Sequence, residues 1–187
     1  TGKRNLQGLD KPILDSLGID KNKPEKQQRN QTGSPILEEG DILLNTTLAE
    51  TNDWQQVDLP VVRTLRHFCI ETLSSYTEDN QACISEVDLL DDKGQPIDKT
   101  KWEVVYVSSE QADKNLGVAE NLFDGDISSF WHTDPATEPG QPHRIIVDIK
   151  EIYKISALRF KVRKGAFLSG KVKEINVYGC PQFFLFH

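Results

Sequence analysis

The chain has 187 residues, of which 27% are charged, and its net charge is −7 at pH 7. This length allows one domain with a hydrophobic core plus an extension, and it is short for two ordinary domains. The negative charge argues against a general nucleic-acid surface, which needs a basic footprint, and the absence of a run of about 18 apolar residues argues against a membrane-spanning helix.

Residues 1–35 show little apolar periodicity, and the part from Lys21 is polar, charged and interrupted by Pro and Gly. This composition predicts a linker or tail, with one short helical turn from Pro12 to Gly18. The alternative that the segment folds back on the domain stays open.

Residues 36–187 are predicted to form a single all-β domain. Short aliphatic and aromatic runs are separated by Gly, Pro and Asp turn signals, and no stretch of a dozen residues keeps a helical period. Such a pattern is typical of a β-sandwich. The predicted strands are 40–44, 54–59, 64–73, 82–90, 102–107, 143–149, 155–162 and 171–178.

The run LRFKVR, residues 158–163, alternates apolar and basic side chains. A strand places alternate side chains on opposite faces, so Arg159, Lys161 and Arg163 are expected to lie opposite the core. Residues 144–179 together carry a net charge of +6. The strand is therefore a candidate surface for an acidic ligand, and the alternative is a solvated strand face that limits aggregation.

The run NLFDGDISSFWHT, Asn121 to Thr133, combines oxygen ligands, glycine and large aromatic residues. Calcium prefers about six to eight oxygen ligands, which carboxylates, hydroxyls and carbonyls supply. Gly125, between Asp124 and Asp126, permits the sharp bend that brings such oxygens together. On their own, Asp and Gly are also ordinary turn residues.

The sequence from Lys101 to Gly179 resembles the factor V/VIII type C, or discoidin, domains, and among them the carbohydrate-binding modules of family 32. The matching residues keep the family's order along the chain. They are Trp102, Ser108, Ser109, Ala119 to Asp126, Phe130 to Thr133, Pro142, His143, Asp148 and the final GKVKEINVYG.

The resemblance implies a discoidin-like (galactose-binding-like) jelly-roll β-sandwich. The segment from Asp53 to Leu90 looks like the closing strands of such a domain, although it precedes the rest. We interpret this order as a circular permutation whose original ends are joined through residues 91–101, since such ends can lie close together on a domain surface. The alternative is the tail of one repeat followed by an incomplete second repeat, which gives two half-sandwiches.

The resemblance also implies a structural calcium ion, with no open position for a reacting group. Its ligands in this sequence would be the Asn121 carbonyl, Asp124, Asp126, Ser129 and Glu86. Glu86 lies among apolar residues, where a carboxylate without a partner is costly, and the ion would be that partner. The alternative is that Glu86 points outward from an edge strand.

The expected ligand is a glycan, held by loops at one end of the sandwich. The family often binds galactosides, but VRKGAF replaces its PRQ-like segment and is more basic. This departure favours an acidic polysaccharide of the pectate or alginate type, because Arg and Lys pair well with carboxylates. Alternatives are a neutral galactoside, or a protein or lipid surface. The candidate binding residues are Arg163, Lys164, Phe167, His132, Lys161 and Tyr76.

No sequence motif predicts catalysis. The histidines have no zinc spacing, and no nucleophile or nucleotide motif is present. We expect a non-catalytic, monomeric module, secreted or periplasmic in a bacterium, without nucleic-acid partners, which could belong to a larger polysaccharide-degrading enzyme.

Two predictions concern the interior of the domain. The three tryptophans, Trp54, Trp102 and Trp131, are predicted to lie in the core. Cys69 and Cys83 either pair or remain free thiols.

Overall fold

A computed structural model describes residues 33–77, 79–136, 140–163 and 169–187. The predicted helical turn and most of the predicted linker lie outside these residues. No helix in the described ranges is long and apolar enough to cross a membrane. The strands are β1 (Pro35–Ile36), β2 (Ile42–Thr47), β3 (Gln55–Thr72), β4 (Cys83–Ile84), β5 (Glu86–Asp91), β6 (Glu103–Val107), β7 (Trp131–His132), β8 (His143–Lys161), β9 (Glu174–Cys180) and β10 (Leu185–Phe186).

One large antiparallel sheet has the order β2-β9-β3-β8-β5, and β6 also pairs with β8. The predicted all-β class is confirmed. β3 and β8 each join two runs that the sequence predicts as separate strands. The pairing of β3 with β8 continues across register shifts between Asp58 and Arg63 and between Leu65 and His67, because a bulge bends a strand without ending it.

Both halves of the sequence contribute to this sheet. β3 lies between β8 and β9, with Ile70 opposite Ile145 on one side and Val177 on the other. The alternative of two half-sandwiches is therefore wrong for the described residues. Circular permutation remains an interpretation. It agrees with the structure, because β5 and β6, the strands before and after residues 92–102, both pair with β8, each with a different part of it.

Inward-facing apolar side chains form one continuous core, with Phe68, Phe160 and Trp131 among its largest fully buried members. A second, smaller cluster of buried residues consists of Cys69, Ile146, Tyr178, Cys180 and Phe184. Burial of this apolar surface is the main favourable contribution to folding.

Two predictions about the interior can be compared with the structure. Trp102 and Trp131 are buried as predicted, but the prediction for Trp54 is wrong, because its side chain is 39% exposed. Trp54 directly precedes β3 and contacts a charged side chain instead of the core. Cys69, Cys83 and Cys180 are free and buried, so no disulfide links Cys69 with Cys83.

Replacing Val177 with Ala should lower the free energy of unfolding by about 2 kcal/mol, because two buried methyl groups are lost and a cavity remains. Val177 is fully buried between β2 and β3. The matched control is Val61→Ala, since Val61 is 67% exposed and should change stability by less than about 0.5 kcal/mol. Urea unfolding measures both variants, and equal effects would contradict the assigned core.

Candidate functional site

The loop that follows the 3-10 helix Ala119–Phe123 is held in a sharp turn. Gly125 has φ +80°, a conformation that L side chains rarely adopt. The Asp124 carboxylate accepts a hydrogen bond from the Asp126 amide at 2.9 Å. The Asp126 carboxylate in turn accepts bonds from the amide and hydroxyl of Ser128 at 2.9 and 2.6 Å.

Oxygen atoms from three of the other predicted calcium ligands converge around the Ser129 hydroxyl. This hydroxyl lies 2.9 and 2.8 Å from the two Asp124 carboxylate oxygens. It also lies 2.9 Å from the Asp126 carbonyl and 3.5 Å from the Asn121 carbonyl. Asp126 therefore faces this point through its backbone, while its carboxylate caps the turn. Among the described residues, no three His, Cys, Asp or Glu side chains form a metal cluster. Apart from the Asp124 carboxylate, the oxygens at this point are carbonyl and hydroxyl oxygens.

The fifth predicted ligand, Glu86, reaches the same loop from β5. Both of its carboxylate oxygens accept from the Gly125 amide at 3.2 Å. The Lys99 ammonium lies 2.7 Å from one of them and 2.6 Å from Asp88. Burial raises the pKa of Glu86, although Lys99 and the Gly125 amide oppose this effect. Sequence reasoning missed Lys99, since the junction DKTK gives no signal of this contact.

The basic strand has the predicted alternation. Its apolar residues Leu158, Phe160 and Val162 are fully buried. Lys161 donates a hydrogen bond to the Asn52 carbonyl, and Arg163 places its guanidinium 3.9 Å from the centre of the Phe130 ring. At the end of this strand, a cation therefore lies directly beside an aromatic ring.

His132 and Tyr76 are both held by backbone groups. His132 is 4% exposed, and its Nδ1 lies 2.5 Å from the Thr133 carbonyl. Burial lowers the pKa of His132, and the nearby Arg163 acts in the same direction. The Tyr76 hydroxyl donates to the Leu48 carbonyl at 2.8 Å.

The structure brings part of the predicted ligand-binding set together. Arg163 lies close enough to His132 to act on its pKa, and Phe130 contacts both of them. Lys164 and Phe167 lie outside the described residues.

Asp79 is a residue that sequence reasoning missed, and it connects two loops at this end of the sandwich. Its carboxylate accepts from the Thr77 and Ser169 hydroxyls at 2.8 and 2.9 Å and from the Gly170 amide at 2.9 Å. Burial raises its pKa, but these hydrogen bonds outweigh that effect and hold the pKa below its ordinary value. The only signal in the sequence that Asp79 joins these loops was the serine and threonine shortly before it.

Comparisons with known proteins support the resemblance seen in the sequence. The F5/8 type C domain family model matches residues 104–180. The chain is 33% identical over 84 residues to a sialidase from Micromonospora viridifaciens, an alignment that covers 44% of this chain and 13% of the sialidase. The chain therefore spans only a small part of that relative. These matches show that residues 104–180 are similar to F5/8 type C, or discoidin, domains, and the all-β architecture is that of a discoidin-like β-sandwich.

Proposed function

We propose that this protein is a non-catalytic carbohydrate-binding module. The structural observation that carries the proposal is Arg163, which is partly exposed directly after the basic strand and whose guanidinium is held 3.9 Å from the centre of the buried Phe130 ring. A sugar site needs polar groups that are fixed in position for the hydroxyls and carboxylates of the ligand. Arg163 is such a group, and the buried Phe130 and His132 support its position rather than meet the ligand. The similarity to part of a sialidase supports a module of a larger carbohydrate-active protein, acting outside the cell, where polysaccharides occur.

Within this proposal, the ligand is an acidic polysaccharide of the pectate or alginate type. Arg163 lies two residues beyond the end of β8 and is the basic group of this site. Guanidinium groups bind carboxylates with two parallel hydrogen bonds in favourable geometry. Each exposed ion pair contributes little, so several sugar units or repeated modules are needed for tight binding.

We also propose a calcium ion at the Asp124 loop, because the converging oxygens around Ser129 suit a hard cation. The ion would be held by oxygens of Asn121, Asp124, Asp126 and Ser129, with Glu86 behind the Gly125 amide. It would supply positive charge that fastens the loop to β5. In this structure the Ser129 hydroxyl and Lys99 satisfy the same carboxylates, so the loop also has partners without the ion.

Asp79 contributes to the proposed site by positioning. It joins the loop that contains Thr77 to the Ser169–Gly170 turn, which follows the basic strand along the chain. Loops that bind ligands must be held in place by the scaffold, because ordering them on binding costs affinity. We infer that ionised Asp79 keeps this end of the sandwich ready to bind.

Arg163→Ala should weaken binding to polygalacturonate by about fivefold, because one charge-assisted contact is lost at a partly exposed site. Wild-type binding should also weaken with added salt, which screens exposed charges. Titration calorimetry measures both effects. The matched control is Lys154→Ala, since Lys154 is exposed on another part of β8. Binding insensitive to salt and to Arg163, or binding of neutral galactosides alone, would contradict the acidic ligand.

Calcium at about 100 times its dissociation constant should stabilise the fold by about 2.7 kcal/mol, which corresponds to a melting temperature about 5 °C or more higher. A chelator should reverse the shift, and Asp124→Asn should remove it. The control is Asp92→Asn, in an exposed turn. An identical wild-type melting temperature with calcium and with chelator would exclude a structural ion at this loop.

Asp79→Asn should lower the free energy of unfolding by about 1–2 kcal/mol at pH 7, because a hydrogen-bonded carboxylate is lost. The folded pKa of Asp79 lies below its ordinary value. Its contribution is therefore complete above about pH 4 and disappears as the pH falls through the folded pKa. Urea unfolding from pH 7 to pH 2 should show the difference from wild type shrinking in acid. The exposed Asp53→Asn serves as control, and a difference independent of pH would contradict this role.

A further inference from the structure

The outward face of the sheet carries an exposed tryptophan that the proposed site does not use. Trp54 directly precedes β3, where Gln56 lies opposite Arg159 of β8, and Arg159 lies opposite Asp88 of β5. The residues on either side of Arg159, Leu158 and Phe160, are fully buried. Arg159 therefore points away from the core, and the row from Gln56 to Asp88 forms an outward face beside Trp54.

The orientation of the Trp54 ring is supported from one side. The Arg159 guanidinium lies 5.2 Å from the ring centre, and its Nη2 donates to the Asp88 carboxylate at 2.6 Å. Asp88 is also held by the Lys99 ammonium at 2.6 Å. An aromatic ring fixed by such contacts loses little freedom when a ligand stacks on it.

The polar groups around the ring are also held in place. The Gln56 amide donates to the Asp58 carboxylate at 2.8 Å, and Lys161 donates to the Asn52 carbonyl. Both Gln56 and Asp58 are exposed. An exposed indole with fixed donors and acceptors beside it is the combination that a sugar ring requires.

The charges on this face select the kind of sugar. Arg159 and Lys161 are balanced by Asp58 and Asp88, so a polyanion would meet two carboxylates and a polycation two basic groups. A neutral ring avoids the desolvation cost that an added unpaired charge would bring. We propose that Trp54 and this row form a second glycan-binding surface, for a neutral hexose unit. The proposal shares only its ligand class with the proposed function and does not depend on Arg163.

The test uses native gel electrophoresis of the whole chain in gels that contain soluble galactan, mannan or β-glucan. Wild type should be retarded by at least one polymer, Trp54→Ala should bind that polymer about tenfold more weakly, and Trp54→Phe should keep part of the binding. Val61→Ala removes another exposed apolar side chain and is the matched control.

A second measurement does not depend on the folding of a variant. The retarding polymer should reduce acrylamide quenching of wild-type tryptophan fluorescence, because Trp54 is 39% exposed while Trp102 and Trp131 are buried. The proposal is overturned if none of the three polymers retards wild type, if quenching does not change, or if Trp54→Ala weakens only polygalacturonate binding. If Arg163→Ala loses only polygalacturonate binding, the result concerns the Arg163 site and leaves the Trp54 surface supported.

Discussion

The pairing of β3 with both β8 and β9 is the constraint on which the rest of the structure depends. Hydrogen bonds of a strand in the middle of a sheet must be satisfied on both sides, and its apolar side chains must meet the core. β3 comes from the part of the chain before the matched discoidin segment, and its partners come from within that segment. Neither part could bury its strand edges alone.

The same pairing creates both candidate surfaces. The end of β8 places Arg163 beside Phe130, where Asp79 fastens the neighbouring loops. Further back along β8, the register with β3 and β5 places Arg159 between Trp54 and Asp88. β8 and the two residues after it therefore supply the cation of each surface, and the elements packed against β8 decide the surroundings of each cation.

Lys99 links the Trp54 face to the Asp124 loop. It lies in the connection between β5 and β6 and contacts both Glu86 and Asp88. Glu86 in turn accepts from the Gly125 amide. A buried carboxylate needs compensation, and here a lysine of this connection provides it. The Asp124 loop and the Trp54 face thus share a network of charged neighbours.

The sequence by itself determined the all-β class, which side chains of the basic strand face the core, and the residues of the Asp124 loop, because strand alternation and turn chemistry are local properties. It predicted Trp54 in the core, since an aromatic residue beside a strand pattern usually lies there. Only the tertiary structure decided that Trp54 faces outward with Arg159, that Lys99 accompanies Glu86, and that Asp79 joins two loops. These contacts join residues that are from 13 to 105 positions apart, and no local pattern specifies which distant side chains a register brings together.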